Sequence, residues 1–145
     1  ALATAKIRAT PFDVCRAFVN GSEMSQYWFT RYDSALKEGE TSRWFLGAEA
    51  EAMSFDVYVK ELLFPHRLVI DCPGEEGRLR QVTWSFKELD GGGTILSIEE
   101  TGFAGSDEQI VESVLDSTRG FNQVIVAVKA LVEHGVHVNV VTDHA

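Results

Sequence analysis

The chain has 145 residues, 45% of them hydrophobic and 24% charged, with 13 basic against 22 acidic side chains and a formal charge of −9. That is the length of one ordinary domain, with the composition of a folded rather than a disordered chain. The negative field disfavours nucleic acid and anionic membrane surfaces as partners.

The opening segment, ALATAKIRAT, is too short and polar for a signal peptide. Within it, Ala5 to Ala9 is expected as a first strand. Thr10 then offers an N-cap oxygen and Pro11 a first-turn residue with no N–H to satisfy, so a helix carrying Val14, Cys15 and Phe18 should begin there. Asn20-Gly21 ends it, and Ser22 is expected to cap a second short helix bearing Met24, Tyr27 and Trp28.

From about residue 33 the period becomes two. Ala35-Leu36 and Thr41 to Leu46 flank Lys37-Glu38-Gly39 and predict a hairpin. Phe55, Val57 and Val59 share one strand face, with Tyr58 on the other. Leu68, Ile70 and Cys72 follow the Pro65-His66 turn, and Val82, Trp84 and Phe86 follow Pro73-Gly74. Thr94, Leu96 and Ile98 follow Asp90-Gly91-Gly92-Gly93, the strongest turn signal in the chain. Strands joined by short turns predict an antiparallel meander of about six strands.

Ser106 and Gln109 fit a capping box, behind which Ile110, Val114, Phe121, Ile125, Val128 and Val132 trace a helix of about seven turns up to His134-Gly135. Gly120 costs about 1 kcal/mol relative to Ala in mid-helix, which a bend or the close approach of a backbone or a ligand would explain. The apolar stretch from Phe121 to Val141 is interrupted by Asn122, Gln123, Lys129, Glu133 and His134, so it is no membrane span. Val136 to Val141 alternates again, as an edge strand or an ordered extension. The fold class is therefore α+β: a curved antiparallel sheet of six or seven strands gripping one long C-terminal helix, with two short helices after the first strand. A curved sheet cannot lie flush against a straight helix, and the space left between them is the expected site of function.

Four segments carry a family likeness: Ala9-Thr10-Pro11-Phe12-Asp13-Val14, Tyr27-Trp28-Phe29, Phe64-Pro65-His66-Arg67-Leu68, and Gly93 to Phe103 with Gly120-Phe121 and Leu131 downstream. In order and spacing they resemble the START-like (SRPBCC, helix-grip) superfamily. Within it the chain is similar to the homologues of the activator of the ninety-kilodalton heat-shock-protein ATPase, over nearly its whole length. Phe121 stands where tryptophan is common in that family, Cys72 near another frequent tryptophan, and Glu100 in place of a common histidine. The resemblance implies a single domain over residues 1–145 and ligand binding in its cavity. It also implies a chaperone-binding surface as an alternative.

Among the aromatic residues Trp28, Phe29, Trp44, Trp84, Phe86, Phe103 and Phe121, ordinary core packing competes with the lining of a ligand cavity. The expected ligand-binding set is Trp28, Val82, Trp84, Phe86, Ile98, Glu100, Phe121 and Ile125. Glu100 is the sharpest polar signal, because period two places it inward with Thr94, Leu96 and Ile98 unless the strand ends first. Arg78 and Arg80 could pair with it or stand in solvent. His134, His137, Asp143 and His144 belong to a tail rather than a metal site, and Glu49 and Glu51 lack calcium-loop spacing. Cys15 and Cys72 read as small buried hydrophobes of a reducing compartment, with one disulfide as the alternative.

The expectation is thus a cytoplasmic binding protein for a small apolar or aromatic molecule, with no cofactor or metal. A cyclase or hydratase using Glu100 with Tyr58 is the enzymatic alternative, and pairing through the Val136 to Val141 tail would make a homodimer.

Overall fold

The structure, a computed structural model, describes residues 1–29, 31–32, 35–47 and 51–143. Strand β1 (Leu2–Ile7) is followed by helices α1 (Pro11–Val19) and α2 (Gly21–Met24). Strands β2 (Arg31–Tyr32), β3 (Thr41–Phe45), β4 (Ser54–Leu63), β5 (Arg67–Pro73), β6 (Leu79–Glu88) and β7 (Thr94–Thr101) come next, and helix α3 (Asp107–His134) last. The strands form one sheet in the order β1-β7-β6-β5-β4-β3-β2, antiparallel throughout. The expected meander is present, and β1 closes its far edge against β7.

The alternation read from sequence sets the inner face. Ser42 and Trp44, Val57 and Val59, Val82, Trp84 and Phe86, and Thr94, Leu96, Ile98 and Glu100 are all buried, while Tyr58 points outward and is exposed. The three glycines of the β6–β7 turn all have positive φ (84°, 98° and 92°), a backbone that side chains disfavour.

Three local expectations are corrected. The first strand spans Leu2–Ile7 rather than Ala5 to Ala9, because its limits follow its pairing with Thr94 to Glu99; Ala9 instead accepts a hydrogen bond from Thr94 Oγ1 at 2.8 Å. Ala35-Leu36 is not a strand. Leu36 donates its N–H to the Val19 carbonyl at 3.1 Å and is buried in the core, and Arg31–Tyr32 pairs with β3 instead. The second helix is capped by Asn20, whose Oδ1 accepts from the Ser22 N–H at 3.0 Å, so asparagine serves both as the end of α1 and the start of α2.

Thr10 caps α1 as expected, accepting from the Asp13 N–H at 3.2 Å. In α3 both halves of the Ser106–Gln109 capping box form, and Gly135, at φ 66°, ends the helix in the left-handed conformation. All of the buried residues of this 28-residue helix lie within Val124 to Val128. Its C-terminal half is fixed to β1: Lys129 Nζ donates to the Lys6 carbonyl at 2.9 Å, and Glu133 accepts from the Arg8 N–H at 3.1 Å while pairing with Lys129. Cys15 and Cys72 are both free thiols. No helix among the described residues is long and apolar enough to cross a membrane.

The Glu133 side chain is 3% exposed. Burial pushes its carboxyl up, but hydrogen bonds from Lys129 and the Arg8 backbone, with the charges of both residues, hold it below the ordinary 4.5. A depressed carboxyl stabilises the fold above its unfolded value, and that contribution is lost as pH falls through the folded value. Glu133→Gln should therefore lower the unfolding free energy by about 1–2 kcal/mol at pH 7, a gap that narrows steadily below pH 4.5. Urea unfolding at pH 7 and pH 3 checks this; an equal penalty at both would show that the charge of Glu133 does not fix the helix.

Candidate functional site

Trp28 leaves α2 through two tight hydrogen-bonded turns, its N–H bonded to the Met24 carbonyl at 2.8 Å. Tyr27 beside it is fully buried and donates its hydroxyl to the Ala17 carbonyl at 2.7 Å, which fixes the loop against α1. The half-buried Trp28 ring then meets Phe18, Phe29, Trp44, Trp84 and Phe121 at centroid distances of 4.6 to 6.3 Å. It stands where the sheet, α1 and α3 come together.

Beyond this ring the N-terminal half of α3 covers the sheet without burying any residue completely. A cleft of about 280 Å³ opens there, lined by Trp28, by Glu100 of β7, by Asp116, Ser117, Gly120, Phe121, Gln123 and Val124 of α3, and by Val140 and Val141 of the tail. A Cβ at Gly120 would meet nothing within 4 Å. The close approach of another backbone, one of the reasons expected for this glycine, is therefore not found.

The tail is an ordered extension rather than an edge strand. Val140 N–H donates to the Tyr27 carbonyl at 2.9 Å, and Asn139 Nδ2 to the Ser25 carbonyl at 3.0 Å. The Asn139 Oδ1 accepts from the N–H groups of Val141 and Thr142, closing a turn that sets Val140 and Val141 against the cleft.

Of the residues expected at the site, Trp28, Glu100 and Phe121 meet at the cleft. Val82, Trp84, Phe86, Ile98 and Ile125 lie in the packed core behind it, where Phe18 takes up the space next to Trp84 and Phe86 at 5.8 and 6.1 Å. The period-two reading of Glu100 holds, for the residue is only 6% exposed. Its Oε2 lies 3.7 Å from Nη1 of Arg80, which is more tightly engaged by Glu75 and lies 4.4 Å over the Phe103 ring. Arg78 is exposed. Hydrogen bonds from Arg80 hold the Glu75 carboxyl below the usual range, and burial, reinforced by Glu100, pushes the Cys72 thiol up to about 11.

Asp116 and Ser117 are not singled out in the sequence, and Gln123 and the tail valines read there only as an interruption of the apolar stretch and as an edge strand or ordered extension. The helical ones were legible in principle, since residues 116, 117, 120, 123 and 124 follow the spacing of one helix face. Among the described residues no group of three or more His, Cys, Asp or Glu side chains could hold a metal ion; Glu49 and His144 lie outside the described residues.

Four buried polar atoms have no hydrogen-bond partner among the described residues: Ser42 Oγ, Trp44 Nε1, Trp84 Nε1 and Glu100 Oε1. All four belong to the inner face of the sheet. Of the four, only Glu100 lines the cleft.

The fold is shared with solved proteins of low identity. A Staphylococcus saprophyticus protein matches with a TM-score of 0.76 at 20% identity, over 94% of this chain and 93% of its own. The Aha1 dimer from Colwellia psychrerythraea matches with a TM-score of 0.71 at 12% identity, over 92% and 96%. DynU16, from the dynemicin biosynthetic locus, matches with a TM-score of 0.76 at 15% identity, over 93% of this chain but 47% of its own. A comparison with curated proteins finds no match. The family model for Activator of Hsp90 ATPase homolog 1-like proteins matches residues 8–133, and with the helix-grip architecture this places the chain in that family.

Proposed function

We propose that the chain binds a small apolar or aromatic molecule in the cleft between β7 and the N-terminal half of α3. The observation that carries this reading is the company Glu100 keeps: a buried carboxylate with one unpartnered oxygen, in a cleft walled by Trp28, Phe121, Val124, Val140 and Val141. Small-molecule sites combine apolar walls with a few placed polar groups, and this cleft has both. Its volume, about 280 Å³, is at the small end for such sites and suits a two-ring or short aliphatic ligand. A larger hollow of about 490 Å³ lies on the outer side of α3, between Val126 and Val138. The lining of that hollow lacks Glu100, which supports placing the ligand in the inner cleft.

Gly120 gives the reading a sharp test. A helix-interior glycine costs about 1 kcal/mol relative to alanine, and here the space beside it is open. Gly120→Ala should therefore raise stability by up to about 1 kcal/mol. Gly120→Leu should keep the fold and fill the cleft. With the neutral two-ring fluorophore 6-propionyl-2-dimethylaminonaphthalene as probe, wild type should bind one equivalent, and Gly120→Leu should weaken binding by at least about tenfold, some 1.4 kcal/mol. Undiminished binding by a folded Gly120→Leu variant would place the ligand elsewhere. Native mass spectrometry of freshly purified protein should in addition show a retained small molecule.

Self-association is a second reading, favoured by the outer face of α3. Val111, Leu115 and Val126 are 57%, 65% and 66% exposed there, and the related Colwellia protein is a dimer. Sedimentation equilibrium should show wild type dimerising at tens of micromolar and the Leu115→Glu, Val126→Glu double variant remaining monomeric. A wild type that stays monomeric at millimolar concentration removes this reading.

A further inference from the structure

Glu75, Arg80 and Glu100 form a chain of two carboxylates about one guanidinium, a formal balance of one negative charge. Arg80 spends Nε and Nη2 on Glu75, with the Nε–Oε2 distance at 3.3 Å. Only Nη1 faces Glu100, at 3.7 Å, too long for a hydrogen bond. The Glu100 side chain is 7% exposed, and its Oε1 has no partner among the described residues. A buried carboxylate so poorly paired is costly unless something donates to it.

The cleft that Glu100 lines has matching chemistry. Its ten described lining residues include two carboxylates, Glu100 and Asp116, and no lysine, arginine or histidine. Asp116 stands at the rim, paired with Arg119 at 2.6 Å and 73% exposed, so the more weakly paired carboxylate is the one at the inner end. Trp28 and Phe121 both line it and meet with centroids 6.3 Å apart and planes at 75°. Aromatic faces attract cations, and the overall charge of −9 attracts them to the surface.

Resting on the reading of the cleft as a ligand site, we infer that its ligand is a protonated amine carried on an aromatic or aliphatic body, with the ammonium donating to the Glu100 carboxylate and the body lying against Trp28 and Phe121. The ammonium supplies both the missing hydrogen bond and the missing positive charge. A hydroxyl supplies only the first, and a carboxylate repels both Glu100 and Asp116.

Three probes that share one ring system and differ in head group decide the matter: 1-naphthylmethylamine, 1-naphthylmethanol and 1-naphthylacetate, titrated calorimetrically into the wild-type protein at pH 7 and low salt. The amine should bind at least about tenfold tighter than the alcohol, and the acetate most weakly. Glu100→Gln should abolish the preference for the amine while leaving the alcohol within about threefold of its wild-type affinity. An alcohol or acetate that binds as tightly as the amine overturns the inference and leaves the cleft reading standing. An amine preference that survives Glu100→Gln also overturns it. If none of the three probes binds, the cleft reading falls as well. The wild-type ranking decides even where the variant does not fold.

Discussion

One aromatic ring joins the parts of this molecule that a single long helix cannot reach. An α-helix of 28 residues is about 42 Å long, but it is only one helix wide, and α3 packs on β1 and β7 at one side of a seven-stranded sheet. The inner faces of β3 and β4 need another cover. Trp28 supplies it with Phe29: the two rings lie 4.6 Å apart and reach Trp44 and Phe55 on the far strands. The same tryptophan touches Phe121 on α3 and Phe18 on α1. Coverage by side chains rather than by backbone leaves irregular space, and the cleft lies where Trp28 stops and the helix has not yet settled onto the sheet.

That geometry explains why charge is tolerated inside. Glu100 is the last inward residue of β7 before the strand ends at Thr101, so it sits at the edge of the apolar layer rather than in its middle. Arg80, on the same face of the neighbouring strand and 17% exposed, is held by Glu75 and lies over the Phe103 ring. A guanidinium committed to one carboxylate and one aromatic face has little left for a second carboxylate. The cluster therefore anchors Arg80 well and Glu100 poorly.

The sequence made the architecture legible because each element announced itself locally. The period-two face of Val82, Trp84 and Phe86, the triple-glycine turn and the Ser106–Gln109 capping box each carry their physical cause within a few residues. Boundaries set by pairing were less legible. β1 starts at Leu2 because Glu99 is opposite it, and Leu36 is a core plug because Val19 offers a carbonyl. Neither partner is near in sequence. The site was legible in direction but not in depth. Alternation shows that Trp84 and Glu100 face inward alike, yet whether an inward side chain meets a neighbour or a cleft depends on Phe18, which lies more than sixty residues away in the chain and takes up the space beside Trp84 and Phe86. The tail was the least legible part, since alternating valines suit an edge strand, and only the Asn139 turn and its bonds to Ser25 and Tyr27 make it a wall.

Helix α3 divides its duties along its length, and the division has a physical origin. Its C-terminal half buries Val124, Ile125, Ala127 and Val128 and is tied to β1 through Lys129 and Glu133, so most of its contribution to stability is concentrated there. Its N-terminal half closes on its own capping box, donates from Ser113 Oγ to Glu75 at 3.4 Å, and carries a glycine with open space beside it. A helix anchored at one end can adjust at the other without unfolding, because local stability follows local burial. The cleft lies along the half with least to lose, and the residues that line it from α3, Asp116 to Val124, end where the buried set begins. The cleft and the buried contacts of the helix therefore overlap only at Val124, and substitutions before it can reshape the cleft at small cost to the fold.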